Sequence, residues 1–61
     1  MATPFEKEDA FLRAVGNAAQ EANKLRDAVN SGLTGHDLET HVARFVLAAA
    51  QVRNRFEEMD E

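Results

Sequence analysis

Apolar residues recur every three or four positions along two long segments of the chain, and this spacing predicts two α-helices. The first apolar series is Phe11, Val15, Ala18, Ala22, Leu25 and Val29, and the second is Leu38, Val42, Phe45, Ala49, Val52, Phe56 and Met59. Steps of four and three place each series along one side of its helix. We therefore predict that the two series meet and form the interface between two paired helices.

The first helix has clear start and stop signals, which predict a helix over about 4–31. Thr3 and Glu6 have the spacing of a capping box, in which each side chain accepts a hydrogen bond from the other residue's backbone N–H. Pro4 falls at the first helical position, where its missing N–H costs nothing. At the other end Gly32 is suited to the left-handed position that follows a helix.

The second helix is predicted over about 35–58, after a turn at 32–34. Thr34 is the expected N-cap, and Asp37 stands three positions later, as in a capping box. The acidic tail at 59–61 is expected to fray, since negative charge is unfavourable at the C-terminal end of a helix. A turn this short makes the helices antiparallel. The predicted fold is all-α, an antiparallel two-helix hairpin forming a single domain over 1–61.

The small size of the chain predicts association. A chain of 61 residues buries only about 60% of the surface that its unfolded form exposes, so such domains are marginally stable. Small domains compensate with disulfides, metals or oligomerisation. Cysteine is absent, which excludes disulfides and thiolate metal sites. We therefore predict a homodimer in which two hairpins complete a four-helix bundle.

The segment 45–52, FVLAAAQV, supports this prediction because its apolar run is too continuous for a helix with a single neighbour. Leu47 lies nearly opposite the second apolar series, and Ala48 is expected to be only partly covered within a hairpin. Such residues favour contact with a second chain, either another copy or a different protein. The predicted partner or oligomer contacts are Phe11, Leu12, Ala19, Ala43, Val46, Leu47, Ala50 and Phe56.

Residues with catalytic or metal-binding chemistry are sparse. His36 and His41 are five positions apart and lie on different sides of a helix, unlike the i, i+4 pairs of zinc helices. Asp37 and His41 do have that spacing, but a capping role for Asp37 and a solvated position for His41 are the simpler interpretation. Ser31 is the single serine and falls in the predicted turn. We expect no enzyme activity, no catalytic residues, no metal, no cofactor and no small-molecule substrate.

Charge and hydropathy favour a cytoplasmic protein without membrane contact. No segment approaches the ~20 consecutive apolar residues of a membrane-spanning helix. Residues 1–11 lack the basic start and apolar core of a secretion signal. Eleven acidic and seven basic side chains give a net charge of −4, which disfavours nonspecific binding to nucleic acid.

One polar stripe along the first helix nevertheless suggests an alternative partner. Arg13, Asn17, Gln20 and Lys24 are spaced four, three and four residues apart and contain no acidic member. In a symmetric dimer, two copies of this stripe form a surface that suits RNA phosphates and sugars. RNA contact through these four residues is therefore the alternative to a protein partner.

In length, hairpin plan and acidic charge the chain resembles the plasmid copy-number RNA-binding hairpin proteins, a family of dimeric four-helix bundles. Its turn at Val29-Asn30-Ser31-Gly32 and its Ala-rich second helix also resemble the hairpin co-chaperones of type III secretion systems. Small acidic helical inhibitors encoded by phages share the same general features. These resemblances rest on plan and composition and imply a bacterial or phage protein. The predicted function is a non-enzymatic protein–protein interaction module of the adaptor, co-chaperone or inhibitor type, with a dimeric RNA-binding hairpin as the alternative.

Overall fold

The computed structural model describes residues 4–60, which form two α-helices and no strand. Helix α1 is Pro4–Asn30 and helix α2 is Gly35–Asp60. The helices pack along their length as a hairpin that measures 46 × 14 × 13 Å between Cα atoms. The predicted all-helical hairpin is confirmed, because both apolar series lie on helices joined by one short turn.

The turn between the helices has the hydrogen bonds of a Schellman motif. Leu33 donates its backbone N–H to the Ala28 carbonyl at 3.0 Å, and Gly32 donates to Val29 at 3.1 Å. Gly32 has the predicted left-handed conformation, with φ of +86°. Gly35, the first residue of α2, is also left-handed at +61°. Two glycines therefore reverse the chain where an L side chain would be strained.

The last turn of α2 is supported by ion pairs between neighbouring side chains. Arg53 Nε lies 3.1 Å from Glu57 Oε1, and Arg55 Nη1 lies 2.9 Å from Glu58 Oε1. These arginines lie one turn before the two glutamates and offset their unfavourable position near the helix end. The helix includes residues 59 and 60, where the sequence predicts a frayed tail. Glu61 and the predicted cap at Thr3 lie outside the described residues.

Residues seven apart form a row along each helix, and two rows of each helix form the interhelical interface. The buried and half-buried residues of this interface include Phe11, Ala14, Ala18, Glu21, Leu25 and Ala28 of α1, and Leu38, His41, Phe45, Ala48, Val52 and Arg55 of α2. Each helix contributes one row of the predicted apolar series and one adjacent row outside it.

The predicted interface is therefore wrong by one row in each helix. Val15 and Val29 of α1 are exposed, as are Val42, Ala49 and Phe56 of α2, although Phe56 makes the expected ring contact with Phe11 across the two helices. Their expected places are taken by two rows that combine alanine with polar side chains, Ala14–Glu21–Ala28 in α1 and His41–Ala48–Arg55 in α2.

The small size of alanine explains why the alanine-containing rows, and not the valine-containing rows, lie between the helices. Ala14, Ala28 and Ala48 are the buried apolar residues of the described chain, with exposed fractions of 9%, 5% and 3%. Alanine lets two helix backbones approach closely, since it projects only one methyl group toward the neighbouring helix. Ala48, which was expected to be only partly covered, is instead enclosed. The bulkier valines lie beside this contact rather than within it.

Candidate interaction surface

One side of the hairpin presents a continuous apolar surface. The row Val15–Ala22–Val29 lies one helical step beyond Phe11–Ala18–Leu25, and the row Val42–Ala49–Phe56 lies one step beyond Leu38–Phe45–Val52. A groove lined by residues of both helices, including Phe11, Ala49, Val52 and Phe56, places these rows on the same side. We call these four rows the apolar face; its members are Phe11, Val15, Ala18, Ala22, Leu25, Val29, Leu38, Val42, Phe45, Ala49, Val52 and Phe56.

The apolar face leaves much of its larger side chains uncovered. Val15 is 39% exposed, Val42 41%, Phe56 54% and Val29 55%. None of its twelve residues is charged or polar. Along the outer edge of each helix, a leucine or valine extends it, since Leu12 and Val46 are exposed as well. A contiguous surface of this kind marks an interaction site more often than an isolated exposed leucine does.

Two aromatic rings close the apolar face at the open end of the hairpin. The centroids of Phe11 and Phe56 lie 6.3 Å apart, with the rings tilted by 53°. This tilted arrangement is favourable for aromatic pairs. The contact places Phe11 level with Phe56 along the hairpin, while Phe56 stays more than half exposed and available for further packing.

The opposite side of the hairpin is polar. Asn17 and Glu21 of α1 and Arg44 and Gln51 of α2 line a groove there, together with Leu47 and Ala48. A second groove continues toward the open end between Asn17, Gln51 and Arg55, among other residues. The two sides of the hairpin therefore differ sharply in chemistry, and we call this side the polar face.

The interhelical interface contains two polar side chains that the apolar spacing did not indicate. Glu21 Oε1 lies 3.3 Å from Lys24 Nζ, whereas Glu21 Oε2 is buried without a protein partner. His41 is half-buried, and its Nδ1 also has no protein partner, although a solvated position was expected. Both residues belong to the rows next to the polar face, where an apolar series gives no information.

The structure divides the predicted contact residues into two groups. Five of them lie on the apolar face or at its edges: Phe11, Leu12, Ala19, Val46 and Phe56. The other three lie on the outer side of α2, away from the apolar face: Ala43, Leu47 and Ala50. Leu47 is 66% exposed and borders the polar groove, so it does not continue the apolar face.

The predicted RNA-contact stripe lies along the exposed side of α1 next to the polar face. Its members Arg13, Asn17, Gln20 and Lys24 are all exposed. Arg13 Nε lies 3.1 Å from Asp9 Oδ2, and Lys24 Nζ lies 3.3 Å from Glu21 Oε1. An acidic neighbour therefore offsets the charge of each basic group in the stripe.

The described residues present no metal-binding cluster of three or more His, Asp or Glu side chains. Neither helix within residues 4–60 has a stretch apolar enough to span a membrane. The arrangement that distinguishes the molecule is therefore its apolar face. Comparisons with protein-family models, with curated proteins and with solved structures find no match to the chain.

Proposed function

We propose that this protein is a non-enzymatic interaction module that associates with another helical surface through its apolar face. The observation that carries this proposal is the position of one row of each apolar series, which lies beside the interhelical interface and leaves Val15, Val29, Val42 and Phe56 exposed. The partner is a second copy or a helix of another protein, as in adaptors, co-chaperones and inhibitors.

The offset of the apolar series has the direction that a four-helix bundle requires. In an isolated helix pair, the most apolar side of each helix points at the other helix. In a four-helix bundle each helix has two neighbours, so its apolar side points between them. Here both helices turn their most apolar rows toward the same side of the hairpin. That common direction supports a second layer of helices over the apolar face.

The interior of the hairpin is also too small to account for a stable fold. Its buried apolar residues are three alanines, and no large side chain is fully buried within the described chain. Full burial of a valine or phenylalanine contributes about 1.5–3 kcal/mol, and half of that remains to be gained at Val29 and Phe56. A helical partner over the apolar face would supply the missing burial.

A charge placed on the apolar face tests the proposal. We expect Val42→Glu to abolish association, because the carboxylate would be buried without a partner. Gln51→Glu is the matched control, since it adds the same group to the polar face of the same helix. Sedimentation across a concentration series measures the masses of both variants and of the parent chain.

The expected result is a parent mass above the 6.8 kDa of one chain, a control that matches it, and a Val42→Glu variant near 6.8 kDa. A parent chain that stays a folded monomer throughout would exclude self-association. If Val42→Glu also left the unfolding temperature unchanged, the apolar face would have no role in stability.

RNA binding remains the alternative, and one observation favours it. The polar stripe lies away from the apolar face; its members are Arg13, Asn17, Gln20 and Lys24. Association through the apolar face would therefore leave the stripe accessible to RNA. The ion pairs at Arg13 and Lys24 weaken the case, because phosphate must then displace a carboxylate. If RNA binds through this stripe, replacing both Arg13 and Lys24 should abolish RNA binding, and added salt should weaken the affinity for RNA steeply.

A further inference from the structure

We infer that the apolar face is covered by a second copy of this chain, stacked face to face with the two turns at opposite ends. This inference rests on the proposed function and adds to it the identity and orientation of the partner. It follows from the sizes of the side chains on the apolar face, from the register of the two helices, and from the distribution of net charge along the hairpin.

The apolar-face residues of α2 are symmetric in position about position 47, and in side-chain size except at the centre. Moving outward from that position, Phe45 stands opposite Ala49, Val42 opposite Val52, and Leu38 opposite Phe56. An antiparallel α2 from a second copy therefore places valine against valine and a large side chain against a large one at the ends. At the centre, it places Phe45 against an alanine of the second copy.

The side-chain sizes on α1 have the same symmetry about position 20. Ala18 is matched by Ala22, Val15 by Leu25, and Phe11 by Val29. An antiparallel α1 from a second copy therefore brings small residues together at the centre and large ones at both ends.

The two centres of symmetry lie at the same height in the hairpin. The ring contact places Phe11 of α1 level with Phe56 of α2. Position 20 is nine residues from Phe11 toward the turn, and position 47 is nine residues from Phe56 toward the turn. Since both helices rise ~1.5 Å per residue, one twofold axis across the apolar face passes both centres. The register of the hairpin therefore allows one twofold axis to relate α1 to α1 and α2 to α2 of the second copy.

Packing density distinguishes this orientation from the one with both turns at the same end. With the turns at opposite ends, the layer of Ala18 and Ala49 receives Phe45 and Ala22 of the second copy. With the turns at the same end, Ala18 and Ala49 of both copies form one layer, and Phe11 and Phe56 of both copies form another. Four alanines would leave a cavity and four phenylalanines would force the helices apart, and both are destabilising.

Charges at the edge of the apolar face give each orientation a different ion-pair partner for Glu39, which makes the orientation testable. Glu39, Val46 and Arg53 form one exposed row of α2, seven residues apart, beside the apolar face. With antiparallel α2 helices, Glu39 of each copy lies near Arg53 of the other, where it shares the guanidinium with Glu57 of the same helix as Arg53. With the turns at the same end, Glu39 instead lies near Arg26 of the second copy.

The distribution of net charge also separates the two orientations. Residues 4–13 and 53–60, at the open end, contain six acidic and four basic side chains, or −2 of the total charge of −4. Turns at the same end would bring two such ends together. Turns at opposite ends separate them by most of the 46 Å length of the hairpin, well beyond the ~10 Å screening length at moderate salt.

The apolar face occupies only part of the length of the hairpin. From Phe11 to Val29 it spans about 27 Å of helix, which with the 14 Å Cα width of the hairpin gives a projected area of about 380 Å² per copy. Leu12 and Val46, exposed along its edges, extend the apolar contact that a second copy would cover.

The distance between the two turns tests the orientation directly. The chain has no cysteine, so Ser31→Cys at the exposed turn accepts a single spin label. We expect a label separation of about 35 Å in the dimer, from eleven residues of helix on each side of the axis. Turns at the same end would give about 15 Å, the diagonal of a four-helix bundle, and would overturn the orientation.

Charge exchange along the edge row provides an independent test. We expect Glu39→Arg or Arg53→Glu alone to raise the dimer dissociation constant about tenfold at low salt, because like charges then meet twice per dimer. The double variant should return to within about threefold of the parent. If the dissociation constant returned to that of the parent in the double variant Glu39→Arg/Arg26→Glu, and not in Glu39→Arg/Arg53→Glu, the proposed orientation would be overturned. Arg44→Glu, on the polar face, is the control and should leave the dissociation constant unchanged.

Failure of this inference and failure of the proposed function give different results. A dimer that Val42→Glu disrupts, but whose labels lie about 15 Å apart, overturns the orientation and leaves the proposed function intact. A parent chain that stays monomeric excludes a second copy as the occupant. A dimer that Val42→Glu leaves unchanged contradicts both, because it does not use the apolar face.

Discussion

The three glycines of this chain show how differently one residue type contributes to a fold. Gly32 and Gly35 have left-handed conformations and shape the turn, whereas Gly16 lies inside α1 with ordinary helical dihedrals. A Cβ added at Gly16 would meet no atom within 4 Å. Gly16 therefore lowers the stability of the helix without allowing any close contact within the hairpin.

Alanine substitution at two glycines should change stability in opposite directions. Gly16→Ala should stabilise the protein by up to about 1 kcal/mol, because glycine costs that much within a helix. Gly32→Ala should destabilise it by about 1 kcal/mol, because the left-handed position favours glycine. Chemical denaturation monitored by circular dichroism measures both changes. A stabilising Gly32→Ala would contradict the turn conformation, and a destabilising Gly16→Ala would reveal a close neighbour beyond the hairpin.

At the scale of the helices, the sequence predicted the elements well and their packing only in part. Pro4 and Gly32 are local signals, and local signals are sufficient to place helix ends. The apolar spacing identified six residues of the interhelical interface correctly, including Phe11, Leu25 and Phe45. It could not identify the second row, because periodicity reports the most apolar direction and not the direction of closest approach.

The second row depends on side-chain volume, which the apolar spacing does not weigh. Ala14 and Ala28 are less apolar than Val15 and Val29, yet they permit closer contact between backbones. Glu21 and His41 enter the interface only because they share rows with these alanines and with Ala48. The candidate surface was therefore predicted only in part. Phe11 and Phe56 are the two predicted partner contacts that belong to the apolar face; its other residues were expected between the helices, and three predicted contacts lie on another side of α2.

The register of the two helices can be tested by enlarging the alanine at their closest approach. Ala48→Leu should destabilise the protein by about 1–3 kcal/mol, because Ala48 is only 3% exposed and a larger side chain would push the helices apart. Ala50→Leu, two residues later on the exposed side of α2, is the matched control and should be nearly neutral. Thermal unfolding measures both variants. If leucine were tolerated equally at the two positions, the interface built around Ala48 would be contradicted, and the interface predicted from the apolar spacing would be favoured.

At the scale of the whole molecule, the proposed association would make folding and pairing a single process. The hairpin encloses three alanines, while its largest apolar surface remains open on one side. A helix pair of this kind gains most of its burial when the apolar face is covered. Folding and pairing should then occur together, as they do in dimers that have no stable folded monomer.

Concentration should therefore control the unfolding temperature. Raising the concentration of the parent chain about a hundredfold should raise the midpoint by about 10 °C, because mass action stabilises the associated form. The Val42→Glu variant should melt at a lower temperature that does not depend on concentration, since it lacks the associated form. Circular dichroism over the concentration series separates this behaviour from that of a self-sufficient hairpin, whose midpoint would be the same at every concentration. A constant midpoint for the parent chain would mean that the three buried alanines and the Phe11–Phe56 contact stabilise the fold without a partner.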